Sequence, residues 1–196
     1  MDLDDIVASV NERMEILEKE RERSISASRS IIRMTKRAIH AIHEQKEHER
    51  FLGDAVSEFD SLYGSICNEP EILFSGPVSD AMMELSEACI LSSIVLKKDI
   101  PSYSSLNVTP QSWILGLADC LGEMRRLLLT GLMNGRTEEA KIMFGMMDVI
   151  CEAVMSFDVP DAILPLRRKQ DVARSLMERT RADITNAVLL NSARLK

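Results

Sequence analysis

Four acidic residues stand in two pairs at helical spacing within apolar surroundings. Glu84 and Glu87 are three residues apart, and Asp119 and Glu123 are four apart in "ILGLADCLGEMRRLLL". Residues at these spacings share one face of a helix. If the two helices packed together, four negative charges would repel one another unless a cation compensated them. Mg²⁺ prefers oxygen ligands, so Asp and Glu without His or Cys suit it better than zinc.

The same four acids have an interpretation that needs no metal. Glu84 and Glu87 would then lie on a solvated edge of their helix, and Glu123 would form an ion pair with Arg126, three residues further on. Ion pairs of this kind are common on helices. Residue spacing alone therefore leaves both interpretations open.

Other catalytic sites lack their required residues in this sequence. A di-iron carboxylate bundle needs Glu-x-x-His motifs on its inner helices, and the sequence has none. No Ser-His-Asp or Cys-His arrangement and no Gly-rich phosphate loop is recognisable. All three histidines fall within the predicted first helix: His40, His43 and His48.

Basic residues concentrate in one segment of a chain whose net charge is -7. Between residues 21 and 43 they are opposed by a single acid, Glu22, and a helical wheel places most of them on one side. Such a surface can follow a phosphate backbone, and without interleaved aromatic rings it would show little sequence preference. The alternative is a solvated face that pairs with acidic residues of a neighbouring subunit. We call Arg21, Arg29, Arg33, Lys36, Arg37 and His40 the basic strip.

The elements that must position these residues are all expected to be helices. Charged residues make up 28% of the chain and aromatic residues 4%, and none of the six prolines precedes Pro70. This composition is typical of an all-α protein. No Gly/Ser/Pro-rich linker divides the 196 residues, so we expect one domain over 1–196. The sequence predicts an antiparallel helical bundle of six to seven helices with a long first helix.

The predicted helices are bounded by turn residues and caps. "CNEP" ends the second helix, Thr109 and Pro110 begin the fourth, and Asn134 and Gly135 end it. Pro165 lies early in the last helix or interrupts it. The expected ranges are 4–48, 50–66, 79–96, 110–134, 137–157 and much of 161–192.

The cysteines and the hydropathy pattern predict the cellular compartment of the protein. The four cysteines, Cys67, Cys89, Cys120 and Cys151, form no CxxC pair, so we expect reduced thiols in a cytosolic protein. The acidic N-terminus contains no apolar signal segment, and no later stretch is apolar enough to span a bilayer. The sequence therefore predicts a cytoplasmic protein without membrane association.

Several segments resemble the translin family, in particular its catalytic branch, translin-associated factor X. "VTPQSWILGLADCLGEMRR" is similar to that branch's VTPxxYLLGxADLxGELMR, with Trp113 in place of the usual Tyr. "SRSIIRMTKRAIHAIH" resembles its basic first-helix segment. "NGRTEEA" and "LRRKQD" fall where the family has an NGD-type turn and a basic last helix. The similarity covers nearly the whole chain.

The resemblance implies an activity and assigns residues to it. Glu84, Glu87, Asp119 and Glu123 match the acids of the branch's metal-dependent ribonuclease centre, whereas the non-catalytic translin branch has an apolar residue at the position of Asp119. The implied function is a Mg²⁺-dependent endoribonuclease that prefers single-stranded RNA and accepts Mn²⁺ as a substitute. All four acids would be catalytic and metal-binding, with Glu123 as the proposed base. The basic strip would bind RNA.

The resemblance also implies an assembly. Family members form closed, barrel-like oligomers that hold RNA inside, and the eukaryotic catalytic subunit works together with translin. The present chain is short and lacks a basic nuclear-targeting extension, which suggests a compact prokaryotic or archaeal member that assembles with itself. A translin-like second subunit is the other option. Two rival functions remain: an RNA-binding shell without chemistry, and a bundle whose DxxxE pattern binds metal for regulation, as in phosphate-uptake regulators.

Overall fold

The computed structural model describes residues 2–194, and this part of the chain forms seven helices and no strand. Met1, Leu195 and Lys196, which belong to the expected 1–196 domain, lie outside the described residues. The all-α class and the helical bundle are thereby confirmed. The helices are α1 (Leu3–His43), α2 (Glu49–Ile66), α3 (Pro70–Leu73), α4 (Gly76–Leu96), α5 (Pro110–Met133), α6 (Thr137–Ser156) and α7 (Arg167–Arg194).

Helix α1 is long because nothing in its 41 residues interrupts it. It contains neither Gly nor Pro, and a capping box at Asp2 and Asp5 satisfies its first amide groups. At about 1.5 Å per residue the helix extends for about 60 Å. Residues 2–16 are all exposed, and Arg13 among them forms an ion pair with Glu69, next to α3, at 2.5 Å.

The predicted extension of the first helix over 4–48 is wrong, because α1 ends at His43. Gln45 adopts a left-handed backbone with φ of 55°, and the Lys46 amide donates to the Ala41 carbonyl at 2.9 Å. This pattern is a Schellman motif, which usually places Gly at the left-handed position. The chain uses Gln there, so the sequence shows no stop signal.

His48 is consequently not part of the first helix. It directly precedes α2, is buried, and its Nε2 lies 2.9 Å from the Ser92 hydroxyl of α4. Two further boundaries differ from expectation: α4 begins at Gly76 rather than near residue 79, and α7 begins only after Pro165, at Arg167.

Helix α4 lies at the centre of the bundle, where it packs mainly against α1 and α5. Apolar side chains on both of its sides are buried, because one side faces a core shared with α1, α2 and α3 and the other a core shared with α5, α6 and α7. Leu52 and Trp113 contact both cores. Trp113 is fixed by a 2.9 Å hydrogen bond from its indole Nε1 to the Pro101 carbonyl.

The backbones of α4 and α5 approach closely at Gly116. A Cβ atom at this position would lie 2.7 Å from the Met83 carbonyl oxygen, 2.8 Å from Ser86 Cβ and 2.9 Å from the Glu87 nitrogen. Only glycine fits such a contact without a shift of backbone. Gly116 therefore sets the distance between the two helices that carry the acidic pairs.

Two further properties of the bundle concern its cysteines and the hydropathy of its helices. All four cysteines are free thiols, and Cys89 and Cys120 are buried. None of the described helices combines the length and the apolarity required to cross a membrane.

Candidate functional site

The four predicted acids come together on the facing sides of α4 and α5, which we call the carboxylate cluster. Glu84 and Glu87 project from α4, and Asp119 and Glu123 from α5, in the turns that follow Gly116. The side chains of Glu84, Asp119 and Glu123 are only 21%, 30% and 28% exposed. The structure thus brings all four acids into one partly buried site.

The acids of the cluster influence one another's ionisation. Burial, followed by the negative charges of Asp119, Glu84 and Glu123, raises the pKa of Glu87 from 4.5 to about 8. Burial is also the main cause that raises the pKa of Glu84, opposed by Lys36 and assisted by Asp119. The Cys120 thiol has a pKa raised well above its ordinary value, mainly by burial and then by the nearby acids. Burial and the neighbouring acids therefore favour the protonated form of Glu87 at neutral pH, and ionisation of all four acids would require additional positive charge.

Lys169 and His43 contact the α5 acids directly. Lys169 of α7 donates from Nζ to both carboxylate oxygens of Asp119 at 2.5 Å, and His43 of α1 contacts the Glu123 carboxylate through Nε2. His43 is nearly buried, and its Nδ1 has no hydrogen-bond partner. Four helices, α1, α4, α5 and α7, therefore contribute to the site.

Two further cations stand at the edge of the cluster. Lys36 Nζ lies 3.8 Å from Glu84 Oε1, and an Arg126 guanidinium nitrogen lies 3.8 Å from Glu123 Oε2. The expected Arg126 ion pair thus exists alongside the His43 contact. The other part of the metal-free interpretation is wrong, because Glu87 is partly buried and does not lie on a solvated edge.

The donor set of the cluster fits a hard divalent cation. Carboxylate oxygens are the ligands that Mg²⁺ prefers, and their mutual repulsion is relieved by positive charge among them. Within residues 2–194, no three or more His, Cys, Asp or Glu side chains are arranged as they stand to hold a metal. Asp119 and Glu123 are instead turned toward Lys169 and His43.

No sequence pattern identifies His43 and Lys169 as residues of the site. No Glu-x-x-His motif marks His43, and Lys169 belongs to the segment "LRRKQD", which the family resemblance relates only to a basic last helix. His43 is 80 residues from Glu123 in the chain, and Lys169 is 50 residues from Asp119. No spacing rule within one helix relates such pairs, and the only local signal was a run of basic residues at the start of α7.

The basic strip lies on the exposed surface of α1. All six of its residues are exposed, and Lys36 connects the strip to the carboxylate cluster through Glu84. His40 Nε2 lies 3.3 Å from Oε1 of Glu44, the residue that follows the end of α1. Among the described residues, Arg29, Arg33 and Arg37 have no ion-pair partner, so their guanidinium groups are available to an external anion.

Replacing Glu87 by Gln is expected to stabilise the metal-free protein at high pH. Because its pKa is raised from 4.5 to about 8, the folded state binds the Glu87 proton more tightly than the unfolded chain, and stability falls as pH rises through this window. Gln carries no charge to bury, so the gain should reach on the order of 3 kcal/mol above the folded pKa and vanish below the unfolded pKa. Urea unfolding in EDTA across this pH range measures it.

The exposed Glu22 supplies the matched control for this experiment. Glu22→Gln removes the same charge from a solvated position on α1 and should leave the pH profile unchanged. A Glu87→Gln gain that was independent of pH would contradict the assigned cause.

Comparison with known proteins places the chain in a family. No protein-family model matches it. An uncharacterized protein of Methanocaldococcus jannaschii, MJ0175, is 33% identical over 171 residues, which span 86% of this chain and 76% of that protein. The crystal structure of AfC3PO is 33% identical with a TM-score of 0.87 and covers 97% of this chain and 99% of that one.

Two more solved structures are similar. AfC3PO in complex with duplex RNA has a TM-score of 0.87 at 32% identity, covering 97% of this chain and 98% of that one. Apo-NeC3PO, at 18% identity, covers 92% of this chain and 96% of that one with a TM-score of 0.81, and so shares the fold. Because the identity to AfC3PO exceeds 30% over nearly the whole of both chains and the helices superpose, this chain belongs to the translin family of C3PO-type helical proteins.

Proposed function

We propose that the protein is a Mg²⁺-dependent endoribonuclease of the catalytic branch, which hydrolyses phosphodiester bonds and prefers single-stranded RNA. The observation that carries the proposal is the junction at Lys36, where the basic strip meets the carboxylate cluster at a Lys36–Glu84 distance of 3.8 Å. An RNA backbone along the strip would lead directly to the acids. The similarity to AfC3PO, which is known in complex with duplex RNA, supports RNA as the ligand.

The contacts of each residue suggest its role in metal binding, proton transfer or RNA binding. Glu84, Glu87, Asp119 and Glu123 would hold Mg²⁺, which when bound acts as a Lewis acid on phosphate and lowers the pKa of a water ligand. We assign Glu123 as the group that would orient the attacking water and accept its proton through an oxygen that does not ligate the metal, because the nearly buried His43 fixes its carboxylate. The basic strip holds the backbone on either side of the cleaved bond.

A metal-dependence assay tests the proposal. Labelled single-stranded and duplex RNA would be incubated with Mg²⁺, Mn²⁺ or EDTA, and internal cleavage of the single strand is expected with either metal and absent with EDTA. RNA retention without metal-dependent cleavage would instead identify a binding shell. Failure to retain RNA at low salt would favour a regulatory metal-binding bundle. Faster cleavage of the duplex would remove the single-strand preference alone.

Removing two arginines of the basic strip should weaken RNA binding and its salt dependence. Arg29→Ala/Arg33→Ala eliminates two exposed guanidinium groups without ion-pair partners in the described chain. We expect about tenfold weaker binding at low salt, and a slope of log affinity against log salt that is smaller by about 1.4. Filter binding of single-stranded RNA over a salt series measures both.

A second pair of exposed arginines on α7 serves as the control. Arg174→Ala/Arg179→Ala makes the same change of total charge away from the basic strip. An equal loss of RNA affinity in this variant would show that total charge, rather than the strip, governs binding.

The N-terminal part of α1 supports assembly into a homo-oligomeric shell. Leu3, Val7, Val10, Met14 and Leu17 follow the alternating four- and three-residue spacing of a coiled-coil seam. The first four are exposed, Leu3 by 69% and Met14 by 58%. Burial of such a seam favours association with a second copy. A mass measurement of the purified protein distinguishes a homo-oligomer from a monomer that requires a translin-like second subunit.

A further inference from the structure

The position of Lys169 is unfavourable for helix α7 itself, but it allows the side chain to contact Asp119 on α5. Lys169 lies in the first turn of α7, which contains three consecutive basic residues and no acid. Positive charge at a helix N-terminus opposes the helix dipole, so this placement is unfavourable for α7. The compensation is on α5, where the ammonium group spans both oxygens of Asp119 at 2.5 Å.

The backbone that carries Lys169 is held firmly, whereas its side chain is partly exposed. The neighbouring Gln170 donates through Nε2 to the carbonyls of Val154 at 3.1 Å and Phe157 at 2.9 Å, and Leu166 is buried. The Lys169 and Asp119 side chains are about equally exposed, at 31% and 30%, so the ion pair is open to solvent on one side. A four-carbon stem allows the ammonium group to leave Asp119 while the helix stays in place.

The ammonium group occupies the oxygens that a divalent ion requires. A metal ligand must offer its lone pairs at about 2.1 Å, and a lysine nitrogen at hydrogen-bond distance from the same two oxygens opposes a second cation by charge repulsion and uses one lone pair on each oxygen. The Lys169 charge also opposes the rise in the pKa of Glu87, so it compensates the cluster as a whole. The Lys169 ammonium group and a divalent metal therefore compete for Asp119.

We propose that Lys169 is an internal counter-ion which a divalent metal displaces from Asp119, and that the displaced ammonium group then binds the RNA phosphate at the site. The inference rests on the proposed function. It assigns Lys169 two positions: on Asp119 in the metal-free protein, and on a non-bridging phosphate oxygen during cleavage. Loading with metal thus delivers a positive charge to the substrate in the same event.

Lys169→Met tests both positions, since it keeps the length of the side chain and removes the charge. Titration of Mn²⁺, followed by electron paramagnetic resonance of the free ion, should show about three- to tenfold tighter binding than in the unsubstituted protein because the competitor is gone. Cleavage of single-stranded RNA at saturating Mn²⁺ should nevertheless fall at least about tenfold, because the phosphate contact is lost.

Arg168 provides the matched control, since it is the exposed neighbour in the same turn. Arg168→Met removes an equal charge but no contact to Asp119, and should leave Mn²⁺ affinity unchanged. Lys169→Arg should bind Mn²⁺ no more tightly than the unsubstituted protein, because a guanidinium group also grips a carboxylate through two hydrogen bonds. Thermal melting by circular dichroism establishes that each variant is folded, and Lys169→Gln repeats the test with a polar neutral side chain.

The outcomes separate this inference from the proposed function. If the unsubstituted protein binds Mn²⁺ and cleaves RNA, but Lys169→Met and Lys169→Gln bind Mn²⁺ equally or more weakly, the counter-ion role is wrong and the nuclease stands. Tighter Mn²⁺ binding with undiminished cleavage would overturn the phosphate contact. If the unsubstituted protein neither binds Mn²⁺ nor cleaves RNA, the proposed function and the inference both fail.

Discussion

Asp119→Asn is expected to reduce RNA cleavage by about a thousandfold while RNA binding stays nearly unchanged. The substitution keeps the shape of the side chain but removes the charge that lies closest to Lys169 and belongs to the proposed metal ligands. The basic strip on α1 is not altered, so the RNA should still be held. Single-turnover cleavage with Mg²⁺ and filter binding in EDTA, on the same preparation, measure the two properties separately.

Asp183 offers a matched control, because it also forms an ion pair between α7 and α5. Its carboxylate accepts from Arg125 at 2.7 Å, in a contact separate from the carboxylate cluster. Asp183→Asn should leave the cleavage rate near that of the unsubstituted protein. Normal turnover by Asp119→Asn would remove the proposed active site, whereas equal losses in both variants would indicate that α5–α7 packing, rather than metal binding, supports activity.

Gly116→Ala is expected to destabilise the fold by about 3 kcal/mol and to lower the melting temperature by about 10 °C. The added methyl group would meet the Met83 carbonyl oxygen at 2.7 Å and the Glu87 nitrogen at 2.9 Å, and these backbone atoms cannot turn away as a side chain would. Helices α4 and α5 would have to separate. Because the four acids lie on these two helices, cleavage should fall even at temperatures where the variant remains folded.

Gly122→Ala in the same helix is the control for this substitution. No atom lies within 4 Å of a Cβ placed at Gly122, which is exposed on α5. Replacing Gly by Ala in an open helical position should stabilise the protein by about 0.5–1 kcal/mol. Calorimetry of the two variants compares them directly, and an equal effect of both would show that helix propensity, not the contact between α4 and α5, determines the result.

The sequence predicted the parts of the site that depend on spacing within one helix, but not the parts that depend on contacts between helices. Glu84 and Glu87 share a helical face because they are three residues apart, and that relation depends only on helix geometry. The packing of α4 on α5 depends on Gly116, whose role cannot be distinguished in a sequence from that of the exposed Gly122. Periodicity therefore located the acids, but the structure was needed to show that they meet.

The sequence did not indicate His43 and Lys169 as site residues, and it predicted the end of α1 wrongly, for related reasons. His43 and Lys169 reach the cluster from helices that are distant in the chain, so no local pattern links them to Glu123 or Asp119. The end of α1 depends on a left-handed backbone at Gln45, a conformation for which Gly or Asn would have given a signal. In both cases tertiary packing, rather than local propensity, determines the outcome.

Helix α1 carries the apolar seam, the basic strip and His43 on a single uninterrupted element. Each residue of a helix turns the next by about 100°, so the angular relation between these three surfaces is set by the number of residues between them. A neighbouring copy docked on the seam would fix the helical phase of α1, and with it the direction in which every arginine of the strip points. Insertion of one residue near position 20 would rotate the seam relative to the basic strip while leaving the length of α1 almost unchanged.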